Sequence, residues 1–165
     1  MAEGGGTMGV LGSAPTWADL GGRQEFFARF PPEPLSSSRT RRFVSDALDS
    51  AGYREEGLID RLSLATSELV NNVVAHAKTD CEVRVTPETG SVYAEVLDRA
   101  RERPCPAGAD VDDDSGRGLI LVDGIVDDWG VASLPDGPGK RVWVRIVAND
   151  GPTGSRSTGS DRPSR

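Results

Sequence analysis

The chain has 165 residues, two cysteines, a single histidine and a formal net charge of −7 at neutral pH. Its length fits one domain. The acidic balance argues against nucleic acid as a partner, because nucleic-acid binding depends on basic patches. One histidine excludes a multi-histidine metal site, and no apolar run is long enough to cross a membrane.

Cysteine usage and the N-terminus bear on the compartment. Cys81 and Cys105 form neither a CxxC motif nor a metal-ligand pattern. We expect Cys81 to be a buried strand residue and Cys105 a loop thiol, which fits a reducing compartment. The N-terminus lacks the basic and apolar pattern of a signal peptide. The sequence therefore predicts a cytoplasmic protein.

Both ends of the chain differ in composition from the middle. Residues 1–22 are rich in glycine, and residues 149–165 are mostly glycine, serine, threonine, arginine and proline. Segments of this kind cannot bury enough apolar surface to fold. We expect both to be disordered or loosely attached, which leaves residues 23–148 as the folded domain.

Hydrophobic periodicity in the middle segment predicts five strands and three helices. In chain order they are a strand at Gln24–Phe30, helices at Ser36–Leu48 and Leu58–Ala77, strands at Cys81–Thr86 and Val92–Leu97, a helix at Gly116–Val126, and strands at Trp129–Ser133 and Arg141–Val147. Ser36 is predicted to start the first helix and Gly52 to end it. We expect Trp129 and Trp143 to anchor the core.

This order of elements favours the α+β class. Helices grouped with hairpin-like strands indicate a two-layer α/β sandwich, in which helices cover one face of a mixed sheet.

The end of the long helix carries two stripes. Apolar residues recur every four positions from Leu69 to Ala77, as on the buried face of a helix. Beside them, Glu68, Asn72 and His76 have the same spacing, so their side chains should stack on one flank. Such groups are costly to desolvate, which favours a ligand, metal or partner that satisfies them. The alternative is a solvated flank with His76 near the negative helix end.

A glycine-containing helix start follows forty residues later. Asp114 and Ser115 are candidate N-caps, and Gly116 and Gly118 would let the backbone approach a ligand closely. Helix starts present unpaired N–H groups and a positive dipole end, so this segment could bind phosphate. The alternative is a tight turn without a ligand.

Two further segments complete the pattern. The strand before Asp98 ends in that carboxylate, where it could meet the edge of a base. A glycine-rich turn at Gly137–Gly139 leads into an alternating strand that starts near Lys140. No P-loop is present, because the chain lacks the Gly-x4-Gly-Lys-Ser/Thr pattern.

In this order the four segments resemble the Bergerat-fold (GHKL) ATPase superfamily. They are most similar to its small single-domain branch, the bacterial anti-sigma factor serine/threonine kinases, which carry a histidine kinase-like ATPase domain. The matching segments are Glu68-Leu-Val-Asn-Asn72 for the N box, Asp98 for the first glycine box, Gly116-Arg-Gly118-Leu for the second, and Gly139-Lys-Arg-Val-Trp-Val for the last box. The resemblance covers roughly residues 26–148.

The resemblance implies ATP and Mg2+ as cofactors. Asn72 would hold Mg2+ and the triphosphate, a role that suits an amide oxygen because Mg2+ prefers hard oxygen ligands. Glu68 would be the catalytic residue that polarises the attacking hydroxyl or water. Asp98 would accept a hydrogen bond from the adenine amino group.

The resemblance also implies residues that contact the phosphates. Gly116 and Gly118 would offer their backbone N–H groups. Independently of the resemblance, Arg101, Arg103, Arg117 and Lys140 are candidate cations that could offset negative charge near the triphosphate, although each could be an ordinary surface charge.

Two departures from the family pattern concern the nucleotide. The first glycine box usually reads Asp-x-Gly, but here Ala100 stands in place of the glycine, and its Cβ would crowd a ligand. The segment between the glycine boxes, about residues 101–115, contains four aspartates where the family has a flexible lid. Alternatively, this segment is a solvated acidic loop in which one aspartate caps the following helix.

Two functions remain open at this stage. The first is an ATP-binding anti-sigma factor or serine/threonine kinase that phosphorylates or sequesters a partner, either an anti-anti-sigma-type protein or a sigma factor. The second is a nucleotide-gated or nucleotide-independent protein-binding module without kinase activity. The resemblance also implies a homodimer, and we expect neither a nucleic acid nor a membrane as a partner.

Overall fold

The computed structural model of the chain describes residues 16–19, 24–100, 115–149 and 151–152, with backbone only at 16–19 and 115–117. Several predictions concern residues outside these ranges. They are the acidic segment with Arg101 and Arg103, the loop thiol Cys105, the N-cap Asp114 and most of the two terminal segments.

Six strands and three helices make up the described fold. The strands are β1 (Thr16–Asp19), β2 (Gln24–Phe30), β3 (Cys81–Glu88), β4 (Ser91–Asp98), β5 (Asp128–Ser133) and β6 (Lys140–Val147). The helices are α1 (Ser36–Ser50), α2 (Glu56–Asn72) and α3 (Ser115–Ile125), and a π-helical turn at Val73–Ala77 extends α2. The predicted elements are confirmed within a few residues, and β1, which pairs with β2, was not predicted.

The six strands form one sheet in the order β1-β2-β3-β4-β6-β5. Every described pair of neighbouring strands is antiparallel, so the prediction of a mixed sheet is wrong in this respect. The reason is the position of β6. The α3 connection joins β4 to β5, and these two strands run in the same direction, but β6 lies between them. The α+β class itself is confirmed.

One face of the sheet carries the core. Strand residues that alternate with a period of two point to this face, including Phe30, Val83, Ala94 and Val144, all of them buried. Helix α2 covers it with residues from Leu58 to Leu69 that repeat at helical spacing and are at most 2% exposed. None of the helices in the described ranges is long and apolar enough to cross a membrane.

The opposite face of the sheet has its own aromatic and charged cluster. Trp143 alternates with the buried residues of β6, so it lies on this face and stacks on Tyr93 with ring centroids 5.6 Å apart. The prediction that Trp143 anchors the core is therefore wrong. Glu95 is also on this face, with Arg141 at 3.6 Å and Arg84 at 3.9 Å. Burial raises the pKa of the Glu95 carboxyl, and the two guanidinium groups partly offset that effect.

Helix α1 begins and ends where the sequence predicted. Gly52 ends the helix with φ +86°, as predicted. Ser36 is the first helical residue, as predicted, and Leu35 occupies the N-cap position. The Ser36 hydroxyl donates to the carbonyl oxygen of Pro31 at 2.6 Å.

Gly139 allows β6 to start directly against the end of β4. Its φ is +125°, and a Cβ at this position would collide with the carbonyl oxygen of Asp98 and lie 2.8 Å from the Cα of Arg99. In the same turn, Gly137 also has a positive φ of +140°, but a Cβ there would meet open space. The close approach of the two strands therefore depends on the missing side chain of Gly139.

This pair of glycines predicts a difference in stability. Gly137→Ala should cost only backbone strain, whereas Gly139→Ala should add a collision with backbone atoms that cannot move aside. We expect the Gly139→Ala variant to lose about 2 kcal/mol more unfolding free energy than Gly137→Ala, measured by urea denaturation. Equal losses in the two variants would contradict the close approach of β6 to β4.

Candidate functional site

The last turn of α2 presents a polar pair beside its buried stripe. Glu68 and Asn72 lie one helical turn apart, and both side chains are half-buried. Neither side chain forms a hydrogen bond or ion pair with another residue in the described part of the chain. His76 was predicted to continue this stripe, but it is exposed and lies in the π-helical turn.

The π-helical turn leads the chain from α2 into the sheet. Lys78, with φ 52°, ends the turn, and its N–H donates to the carbonyl oxygen of Val73 at 2.9 Å. Three residues later Cys81 starts β3 in register with Asp98, the last residue of β4. This connection brings the polar end of α2 to the end of the sheet where Asp98 lies.

The start of α3 lies against Asn72. Gly118 is buried, and a Cβ added to it would be 3.2 Å from the Asn72 side-chain oxygen Oδ1. Gly116 falls in the first turn of α3, where backbone N–H groups have no partner within the helix, and Gly118 follows two residues later. The first turn of α3 therefore offers unpaired donors beside an amide oxygen.

The other end of α3 is fixed by contacts that the sequence did not reveal. Arg61 of α2 donates through Nε to the carbonyl oxygen of Ile125 at 2.7 Å and pairs through Nη2 with Asp127 at 3.0 Å. The same Asp127 oxygen accepts the N–H of Val147 at 2.9 Å. These contacts tie the end of α3 to α2 and to β6, so the position of Gly118 is set by the packing of both helix ends.

Asp98 is a buried carboxylate, 2% exposed, on the core side of the sheet. Its Oδ1 accepts a hydrogen bond from the N–H of Ala100 at 2.9 Å. Lys140 lies opposite it in the β4–β6 register, with Nζ 3.8 Å from Oδ2. The structure therefore places Lys140 beside the carboxylate that was predicted to recognise adenine.

Cys81 is the partner of Asp98 in the β3–β4 register. It is buried, as predicted, and burial together with the negative charges of Asp98 and Asp80 raises the pKa of its thiol to about 12. The thiol therefore stays protonated at neutral pH and is not a nucleophile. The hydroxyl of Thr79, two residues earlier, is buried with no partner among the described residues, and sequence analysis did not single it out.

Ala100 replaces the glycine of the family motif without backbone strain. Lys78 is the only non-glycine residue in the described ranges with a positive φ, so Ala100 adopts a conformation open to any residue. Its N–H still reaches the Asp98 carboxylate.

The structure brings four of the predicted site residues together in two pairs. Asn72 meets Gly118 at the end of α2, and Asp98 meets Lys140 at the end of β4. Glu68 lies one turn before Asn72 on the same helix. The backbone at positions 116 and 117 lies in the first turn of α3, while the Arg117 side chain is outside the described part.

The sequence comparisons identify the family. The model of the histidine kinase-like ATPase domain matches residues 30–146, which cover most of the chain and include Asn72, Gly118, Asp98 and Lys140. The chain therefore belongs to the histidine kinase-like ATPase domain family. No curated protein sequence matches it.

Among solved structures, a similar chain is the histidine kinase domain from Erythrobacter litoralis EL346 blue-light activated histidine kinase. The sequences are 19% identical, and the TM-score is 0.44. The match covers 67% of this chain and 60% of that one, so this chain spans less than two thirds of the solved chain's length.

Membership of the histidine kinase-like ATPase domain family implies ATP binding by the domain, and the chemistry of the residues described above is compatible with that ligand. A Cβ on Gly118 would fill space next to Asn72, and Asp98 offers a buried acceptor. The described residues contain no cluster of three His, Cys, Asp or Glu side chains that could hold a metal ion. Asn72 offers an amide oxygen, a hard donor of the kind that Mg2+ accepts beside water and phosphate oxygens.

Two glycines of α3 provide a matched test of the Gly118 contact. Gly118→Ala would place a methyl group against the Asn72 amide, whereas a Cβ on Gly124 in the same helix would meet open space. Both changes raise helix propensity. We expect only Gly118→Ala to weaken Mg-ATP binding, by about tenfold or ~1.4 kcal/mol, in isothermal titration. Equal affinities of the two variants would show that the ligand does not use the space beside Gly118.

Proposed function

We propose that this protein is an ATP-binding regulator of the anti-sigma factor serine/threonine kinase type, which phosphorylates or sequesters a partner regulatory protein. The observation that carries the proposal is the contact between Gly118 and Asn72 in a chain of the histidine kinase-like ATPase family. This contact brings an amide oxygen and a helix N-terminus together, and both are suited to a metal-bound triphosphate.

ATP would supply the transferable phosphoryl group, and Mg2+ would neutralise part of the charge on its phosphates. The residues of this chain would hold and orient them. Asn72 would offer Oδ1 to the metal, and the first turn of α3 would donate N–H groups to phosphate oxygens. Asp98 would accept a hydrogen bond from the adenine amino group at the far end of the site.

Glu68 is the proposed catalytic residue. Its carboxylate lies one turn before Asn72 and is half-buried, so it can reach the same ligand from the same helix face. It would accept the proton of a serine or threonine hydroxyl while the oxygen of that hydroxyl forms a bond to the γ-phosphorus and the bond to ADP breaks. Phosphoryl transfer depends mainly on such positioning.

The proposed partner is an anti-anti-sigma-type protein, a sigma factor, or both, and the proposed compartment is the cytoplasm. The support for these proposals is the resemblance to anti-sigma factor kinases. The resemblance also supports a homodimer.

A second candidate function is a protein-binding module that is gated by nucleotide or independent of it. One observation favours this candidate. The Asp98 carboxylate already accepts a hydrogen bond from Ala100 and pairs with Lys140, so the folded chain satisfies much of its charge without a ligand. Nucleotide binding and phosphoryl transfer must therefore be tested separately.

Two adjacent asparagines allow a matched test of metal-dependent binding. Asn72→Ala removes the proposed ligand of Mg2+, whereas Asn71→Ala removes the same group from a neighbouring position on the helix surface. Loss of a contact to a charged group costs on the order of 1.5–3 kcal/mol. In isothermal titrations with and without Mg2+, we expect Asn72→Ala to lose most of the metal-dependent affinity and Asn71→Ala to keep it. Absence of binding by the unmutated protein at millimolar Mg-ATP would contradict the proposed function.

The catalytic proposal predicts a separation of rate from affinity. Glu68→Gln preserves the size of the side chain but cannot accept a proton, so ATP binding should persist while phosphoryl transfer falls by about 10²–10⁴-fold. Glu56→Gln, in the first turn of the same helix, is the control and should change neither. The measurement is transfer of labelled phosphate from ATP to candidate anti-anti-sigma proteins of the same cell.

The outcome of that assay also decides between the two candidate functions. Unchanged transfer by the Glu68→Gln variant would remove Glu68 from the mechanism. If the unmutated protein binds ATP but transfers phosphate to none of the candidates, the nucleotide-gated binding module becomes the better account.

A further inference from the structure

The core-side end of β4 holds a carboxylate and an ammonium group side by side. Asp98 is 2% exposed, while the Lys140 side chain is 33% exposed and is therefore accessible to a ligand. The two residues are direct partners in the β4–β6 register, and the close approach at Gly139 holds the strands together there. Among the residues that the structure describes, Lys140 is the one cation that pairs with Asp98.

We propose that Lys140 is a specificity-determining residue of the nucleotide site. In this proposal the Lys140 ammonium donates to the acceptor nitrogen N1 of adenine, while Asp98 accepts from the neighbouring 6-amino group. The proposal rests on the proposed function, because it concerns the base end of the same ATP site.

The geometry leaves both groups able to make these bonds. The separation of 3.8 Å between Nζ and Oδ2 suits an ion pair but exceeds hydrogen-bond length. The ammonium of Lys140 therefore keeps its N–H donors for another acceptor. The Asp98 hydrogen bond from Ala100 goes to Oδ1, so Oδ2 keeps acceptor capacity for an amino group.

The charges of the pair explain why it would select a base with two complementary groups. A base that offers only an amino group would satisfy Asp98 but leave the ammonium of Lys140 partly desolvated beside a group that cannot accept. Sites that pair with a polar group discriminate strongly against analogues that lack it, because the unpaired protein group is penalised. Adenine presents a donor next to an acceptor and matches both residues in one orientation.

Other cations near this end of the sheet do not substitute for Lys140. Arg99 is exposed, and Arg141 follows Lys140 in β6 but points to the opposite face, where it lies 3.6 Å from Glu95. The alternation of side chains along β6 thus assigns the contact with the base to Lys140 alone among the described residues.

The test compares ATP with 1-deaza-ATP, which keeps the 6-amino group but lacks the N1 acceptor. Isothermal titration of the full chain with Mg2+ should show 1-deaza-ATP binding at least about tenfold more weakly than ATP, or ~1.4 kcal/mol. In Lys140→Met, which keeps the apolar stem and removes the ammonium, the two nucleotides should bind equally. Lys140→Arg keeps N–H donors and should retain the preference for ATP.

Arg42→Met is the matched control. Arg42 is exposed on α1, so this variant loses the same charge as Lys140→Met but should keep the preference for ATP. Thermal unfolding of each variant checks that it is folded. If Lys140→Met does not fold, equal binding of ATP and 1-deaza-ATP by the unmutated protein would still overturn the inference.

The outcomes separate this inference from the function on which it rests. If the unmutated protein binds ATP and 1-deaza-ATP equally, Lys140 has no role in base recognition, and the ATP site itself stands. Persistence of the preference in Lys140→Met would likewise overturn the inference. Absence of any ATP binding would overturn the proposed function and the inference together.

Discussion

The packing of α2 against the sheet is the interaction on which the rest of the structure depends. Its buried stripe, from Leu58 to Leu69, fixes the rotation of the helix, and that rotation places Glu68 and Asn72 on the flank. Through Arg61, the same helix also holds the C-terminal end of α3, so the glycine-containing first turn of α3 comes to rest against Asn72. The packing of α2 thus positions the proposed metal ligand, the proposed catalytic carboxylate and the proposed phosphate donors.

A second constraint acts at the other end of the site. A buried carboxylate is unfavourable unless hydrogen bonds or charges satisfy it. Asp98 meets this requirement with the N–H of Ala100 and the ammonium of Lys140, and Gly139 permits the close approach that brings Lys140 into place. Any ligand of Asp98 must share this carboxylate with Ala100 and Lys140, which is why the proposed base recognition includes Lys140 as well as Asp98.

Local patterns predicted most of this structure, whereas long-range pairing could not be read from them. The apolar repeat from Leu69 to Ala77 and the helix stop at Gly52 depend on neighbours in sequence. The face on which Trp143 lies depends on strand register, and the insertion of β6 between β4 and β5 has no local signal. The same holds for the contact of Arg61 with Ile125, which joins residues far apart in the chain.

The central claim is that the contacts at Asn72 and Asp98 are two ends of one ATP site. Amide resonances of Gly118 and Ala100 report on these ends separately, and those of Tyr93 report on the opposite face of the sheet. In a titration with Mg-ATP followed by NMR, the account predicts that the Gly118 and Ala100 resonances shift with the same dissociation constant while the Tyr93 resonance stays in place. The account would be contradicted if saturation with Mg-ATP left the Gly118 and Ala100 resonances unshifted, or if it shifted only the Tyr93 resonance on the opposite face.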